Sequence, residues 1–126
     1  MKPKAKKPKA SRAAILQPRL RVRSGPDVAL GPGKVELLAL VAETGSIGQS
    51  AKRMEMSYMR AWSLIQTMNA CFKAPVVETV RGGHQRGGAK LTETGHRALA
   101  WYQQMEKASL EASQAGWRRL QRLLRD

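Results

Sequence analysis

Apolar residues recur along this chain at helical and at alternating spacing, and the two rhythms predict its elements in order. In KVELLALVAETG, which follows Gly31-Pro32-Gly33, residues Val35, Leu38, Val41 and Ala42 return at helical intervals and Gly45 supplies a stop. Two further helices are predicted within residues 45–72. Ser46 can accept from the amide groups left open at a helix start, and Gln49, three residues on, can reach back to it, which makes a capping box. Ile47, Ala51 and Met54 then share a face, with Ala51 small enough for a second helix to cross closely. Glu55 and Met56 form the turn, and Ser57 can cap the next helix. There Ala61, Leu64, Ile65, Met68 and Phe72 repeat every three or four residues as a buried stripe, so Tyr58, Met59, Arg60, Ser63 and Gln66 occupy the opposite face. A short helix, a tight turn with an apolar residue, and a second helix with polar and aromatic groups at its start form a helix-turn-helix pattern, whose second helix enters the DNA major groove.

Alternating stretches flank this centre. LRVRS, residues 20–24, reads as a short strand with Leu20 and Val22 inward, ended by Gly25 and Pro26. Residues 76–81 read as a strand, 82–88 as a glycine-rich turn and 89–92 as the returning strand; the hairpin would be a wing. A plain surface loop is the other reading of that turn. Thr92 can cap a last long helix whose broad stripe is Ala98, Trp101, Tyr102, Met105, Ser109 and Ala112, fitted equally to intramolecular core or to a partner subunit. Gly116 is expected to interrupt it. The following WRRLQRLLRD sets Trp117, Leu120 and Leu124 among four arginines, an amphipathic end suited to a dimer contact, to DNA or to a membrane surface.

Charge narrows the class of partner. The 126 residues carry 23 Lys plus Arg against 9 Asp plus Glu, a net charge of +14. Residues 1–19 hold Lys2, Lys4, Lys6, Lys7, Lys9, Arg12 and Arg19 without an acid, half of that excess, so the remaining chain is itself basic. Such a balance favours polyanions. The Lys, Pro and Ala composition of the tail predicts disorder; it reads as a solubilising start or as a salt-sensitive DNA tether. The longest apolar run, residues 37–42, is too short to span a bilayer. No apolar stretch follows the basic N-terminus as a secretory signal would require. The lone Cys71 allows no intrachain disulfide, reads as a small buried hydrophobe, and suits a reducing cytoplasm.

The run TGSIGQSAKRMEMSYMRAWSLIQTMN, with its SYxxAW element, resembles the N-terminal DNA-binding domain of ModE-type molybdate-responsive transcription regulators of bacteria, and less closely the LysR-type helix-turn-helix. The similarity extends upstream through LGPGKVELLALVAETG and downstream through PVVETVRGG and GGAKLTETGHRAL, covering about residues 20–113. The resemblance implies a mainly α (α+β) winged helix-turn-helix with a short N-terminal strand, a β-hairpin wing and a long C-terminal helix. It implies a homodimer through that helix, bound to operator DNA. Residues 1–19 would be a basic tail and 114–126 a basic amphipathic extension.

On that reading Ser57, Tyr58, Met59, Arg60, Trp62 and Ser63 face the major groove, with Arg60 equally suited to phosphate and Trp62 to packing. Ser46, Gln49 and Lys52 would contact phosphate, and Arg81, His84, Arg86 and Lys90 would serve the wing. The family senses molybdate through separate β-barrel domains, and the dozen residues after the winged helix leave no room for them here, so no small-molecule ligand is expected in this chain. Where the family commonly has glycine in the turn, this chain has Glu55, which must then take a left-handed conformation at roughly 1 kcal/mol.

Catalytic chemistry has no visible basis. The two histidines, His84 in the wing and His96 near the last helix start, lack metal-ligand spacing to Cys71 or to each other, and the acids are scattered. The GGxxxxGG run is not followed by GK[ST], so it is no phosphate loop. No cofactor, metal or membrane contact is expected, and the location would be cytoplasmic, with the nucleoid. The competing readings are a sequence-neutral nucleoid or RNA-binding protein, and a protein-interaction adaptor on a winged-helix core.

Overall fold

Residues 20–24 form only one arm of a hairpin. In the computed structural model of the chain, which describes residues 13–80 and 88–125, strand β1 (Val22–Ser24) turns at Gly25 and Pro26 and pairs antiparallel with β2 (Asp27–Leu30). Gly25 takes φ 61 in that turn. The inward residues are Ala29 and Leu30 of β2, whereas Val22 is exposed, contrary to the alternation read from LRVRS. β1 is an edge that the returning strand separates from the core. Leu20 does pack on the core, from just before the strand.

Helix α1 (Pro32–Thr44) starts two residues earlier than KVELL suggests, with Pro32 where its fixed φ and missing amide N–H do no harm. Its buried residues are Val35, Leu37, Leu38 and Val41; Ala42 is exposed, correcting the predicted stripe. Gly45 ends the helix at φ 70, as expected. Helices α2 (Ile47–Arg53) and α3 (Tyr58–Cys71) follow and cross α1 and each other. Ala61, Ile65 and Met68 are buried, and Leu64 and Phe72 lie partly buried against the same cluster.

The second hairpin, β3 (Val77–Val80) with β4 (Gly88–Leu91), pairs Val77 with Leu91 and Val80 with Gly88. It is tied to the α1–α2 corner: Ala89 N donates to Gly45 O at 3.0 Å, and Ser46 bridges to Gly88. Helix α4 (Glu93–Ala112) is capped by Thr92, whose hydroxyl accepts from Gly95 N at 3.0 Å. Its Tyr102 is 1% exposed and donates to Leu20 O at 2.7 Å, fastening the N-terminal segment to the last long helix across 82 positions. Burial, and after it the Glu106 carboxylate, push the Tyr102 phenol above its ordinary range, against the pull of Arg19. Its contribution is therefore complete below about pH 10 and is lost as the pH climbs through the folded value.

Two expectations about the C-terminal helices change. The break falls at Ser113, and Gly116 lies inside α5 (Gln114–Gln121). The broad α4 stripe also divides: Tyr102 is core and Ala98 packs against it, while Trp101 is 60% and Met105 45% exposed and Ala112 is exposed. At 100° per residue, Trp101, Met105, Ala108 and Ala112 form a second seam beside the first. Among the described residues no helix is long and apolar enough to cross a membrane.

Candidate nucleic-acid interface

The turn between α2 and α3 fixes the angle at which α3 leaves the core. Ser46 opens α2 by accepting from Gln49 N at 3.0 Å, but Gln49 does not complete the capping box. The Ser46 amide instead donates to Thr44 Oγ1 at 3.1 Å, and the fully buried Ser50 hydroxyl donates to Ser46 O at 2.8 Å. Thr44 reaches that amide from the preceding helix, so Gln49 stays exposed. At the far end Glu55 adopts φ 56, the left-handed conformation expected of it, and Met56 turns in to pack against the core. Glu55→Gly is expected to raise unfolding free energy by up to about 1 kcal/mol, the left-handed strain less the entropy that glycine carries. Urea titration checks this, and a less stable variant would show that the turn is not strained.

Ser57 then caps α3 by accepting from Arg60 N at 3.1 Å. Tyr58, Met59, Arg60, Ser63 and Gln66 are all exposed, as the spacing predicted. By helical rotation, Met59, Ser63 and Gln66 point straight away from the core. Arg60 flanks them on the side of Leu64, and Tyr58 and Trp62 on the other. Trp62 is partly buried against the core, which gives it a packing role and leaves one edge outward. Neither α2 nor α3 contains an acid. The two helices therefore present no carboxylate of their own to a polyanion, the exposed Glu55 standing in the turn between them.

Beside it, Gln49 and Lys52 are exposed on α2 and Ser46 is half-buried at its start. Lys90 is exposed on β4, 3.6 Å from Glu78 directly across the hairpin, an exposed pair worth little that a phosphate could replace. Arg81, His84 and Arg86 lie outside the described residues. His96 is exposed on α4, and Cys71 is half-buried. Among the described residues, no three His, Cys, Asp or Glu side chains converge as metal ligands would.

One positioning residue was not apparent from spacing. Asn69, on α3, accepts from Val76 N at 2.8 Å and Val77 N at 3.2 Å, and donates to Val77 O at 3.1 Å. It clamps the end of α3 to the beginning of the wing hairpin. A lone polar residue beside a buried stripe, just before a strand, was the available signal.

No protein-family model matches the chain. It is 41% identical over 78 residues to the molybdenum transport protein ModE of Azotobacter vinelandii, covering 62% of this chain and 29% of that one. Over 77 residues it is 42% identical to the molybdenum-pterin-binding protein MopB of Rhodobacter capsulatus, covering 61% and 28%. Over 71 residues it is 41% identical to the DNA-binding transcriptional dual regulator ModE of Escherichia coli K12, covering 56% and 27%. The chain thus spans under a third of the length of these relatives, and the match falls in their N-terminal region. A solved LysR family transcriptional regulator shares the fold at TM-score 0.50 and 14% identity over 68% of this chain and 27% of that one. The relatives named as ModE transcriptional regulators are not enzymes.

Proposed function

We propose that this chain binds double-stranded DNA sequence-specifically, as a homodimeric winged-helix module of a transcriptional regulator. The observation that carries the reading is the exposed, acid-free face of α3, held out by the Ser57 cap and the left-handed Glu55 turn in a chain similar to the N-terminal region of ModE regulators. Tyr58, Met59, Arg60, Ser63 and the free edge of Trp62 read base edges in the major groove. Ser46, Gln49 and Lys52 hold one phosphate backbone, and the wing, with Lys90 and with Arg81, His84 and Arg86 as expected from sequence, holds the adjoining backbone or minor groove.

The dimer reading is supported by the second seam of α4. Trp101, Met105, Ala108 and Ala112 are spaced four, three and four residues apart, the spacing by which two helices pack along a common axis, and all four are exposed in the single chain. The two alanines would let a partner helix come close.

Retention of fragmented genomic DNA by the purified chain at about physiological salt, followed by sequencing, tests the reading. The expected product is a two-fold symmetric motif with half-sites about 10 base pairs apart or a multiple of that. Tyr58→Ala with Ser63→Ala is expected to relax base preference in the same experiment, each lost contact being worth about 1–3 kcal/mol of discrimination. Retention without any motif would instead mark a sequence-neutral DNA-coating protein.

A further inference from the structure

Beside the first turn of α3 lies an open groove of about 390 Å³, of whose lining the contacts above use only Arg60. Its walls come from the N-terminal segment, from β2, from the start of α1, and from the α2–α3 turn. Arg19, Arg21, Lys34 and Arg60 line it, and no carboxylate does. None of the four takes part in the ion pairs found among the described residues, which are Arg53 with Glu43, Lys90 with Glu78, and Arg97 with Glu93. Lys34 Nζ donates to Val28 O, which holds its ammonium at the groove wall. Four cations gathered from three segments, with no acid in the groove lining and Glu106 near Arg19 on its other side, repel one another in the free protein, and an anion between them removes that repulsion.

We propose that this groove is a second phosphate-binding site, which grips the DNA backbone on the side of α3 away from the wing; it rests on the DNA-binding reading given above. Helix α1 supplies the geometry. Its N-terminus opens into the groove, while its C-terminal Gly45 accepts the Ala89 amide of the wing hairpin. Thirteen residues at 1.5 Å rise separate those ends by about 20 Å, with α3 packed against the same helix, enough to straddle a major groove about 12 Å wide. Open space at Gly33 lets a phosphate approach the amides of the first turn, where Gly31 provides no side-chain cap. Arg60 stands at the boundary between the two functions: it shares the exposed face of α3 with Met59 and Ser63 and also belongs to the groove lining.

The test uses the full chain and the duplex that the wild type selects. Arg19→Gln with Arg21→Gln is expected to lower the slope of log affinity against log salt by about 2, one unit per lost phosphate contact. It should also remove backbone protection from one flank of the hydroxyl-radical footprint and leave the selected motif unchanged. Arg19→Lys with Arg21→Lys should restore the slope. An unaltered slope and footprint from a folded double variant would overturn the proposal while the DNA-binding reading stands. A wild type that retains no duplex would overturn both. If millimolar inorganic phosphate shifts the Gly33 and Lys34 amide resonances of the wild type, but the double variant binds DNA with an unaltered slope, the groove takes a free oxyanion and the backbone assignment is wrong.

Discussion

Replacing Gly95 by alanine is expected to cost about 3 kcal/mol or more, and to lower the melting temperature by on the order of 10–20 °C. A Cβ at this position would lie 2.0 Å from Val76 O, 3.0 Å from Val76 C and 3.3 Å from Leu91 Cβ. The first obstacle is backbone, so no side chain can swing aside. Nor can the helix simply lift. Thr92 N donates to the same Val76 O at 3.0 Å, and the Thr92 hydroxyl donates to Pro75 O at 2.6 Å while capping α4 through Gly95 N. Moving α4 outward strains all three bonds, and it also strains the seat of Tyr102. Gly116→Ala is the control, since it stands inside α5 with nothing within 4 Å of the added carbon. It is expected to be neutral or to gain up to about 1 kcal/mol of helix propensity. Thermal unfolding followed by circular dichroism separates the two, and a Gly95→Ala variant that melted within two degrees or so of the parent would refute the close approach.

The second large effect concerns assembly. Trp101→Glu with Met105→Glu is expected to give a folded monomer, because both side chains already meet water in the single chain. Carboxylates facing each other across a helix pair repel and lose hydration, so the dimer should not form at micromolar concentration. Affinity for a duplex with two half-sites should then fall by on the order of 10²–10⁴-fold, the loss of a linked second contact, while affinity for one half-site changes little. Sedimentation equilibrium and a binding titration on both duplexes measure the two parts. A variant that stayed dimeric would place the interface elsewhere, with the apolar Leu120, Leu123 and Leu124, exposed at the chain's end, as the next surface to alter.

The centre of the fold was legible because its signals are local. Ser46, Ser57 and Thr92 accept from the amides three residues ahead, Gly45 and Glu55 carry positive φ, and the α3 stripe faces inward, each following from a few neighbouring residues. Misread positions share another cause. Val22 alternates correctly, yet β2 stands between β1 and the core, and two residues were too few to show which face would be covered. Gly116 is a weak helix former, but open space and the neighbouring turn at Ser113 let the helix run through it. Along α4, helical periodicity could not tell two adjacent seams from one wide stripe.

The chain by itself determined where α2, α3 and α4 begin and where α1 ends, which face of α3 stays wet, and that the molecule favours an anion. Those outcomes depend on hydrogen bonds spanning three or four residues and on net charge, both of which survive in any compact arrangement. Tertiary structure alone decided that Gly95 touches Val76, that Asn69 locks α3 to the wing, that Tyr102 fastens Leu20, and that Arg19, Arg21, Lys34 and Arg60 share one groove. Each of these joins segments whose meeting depends on how whole faces pack, and packing is settled by the shape of the entire core rather than by any short stretch of chain.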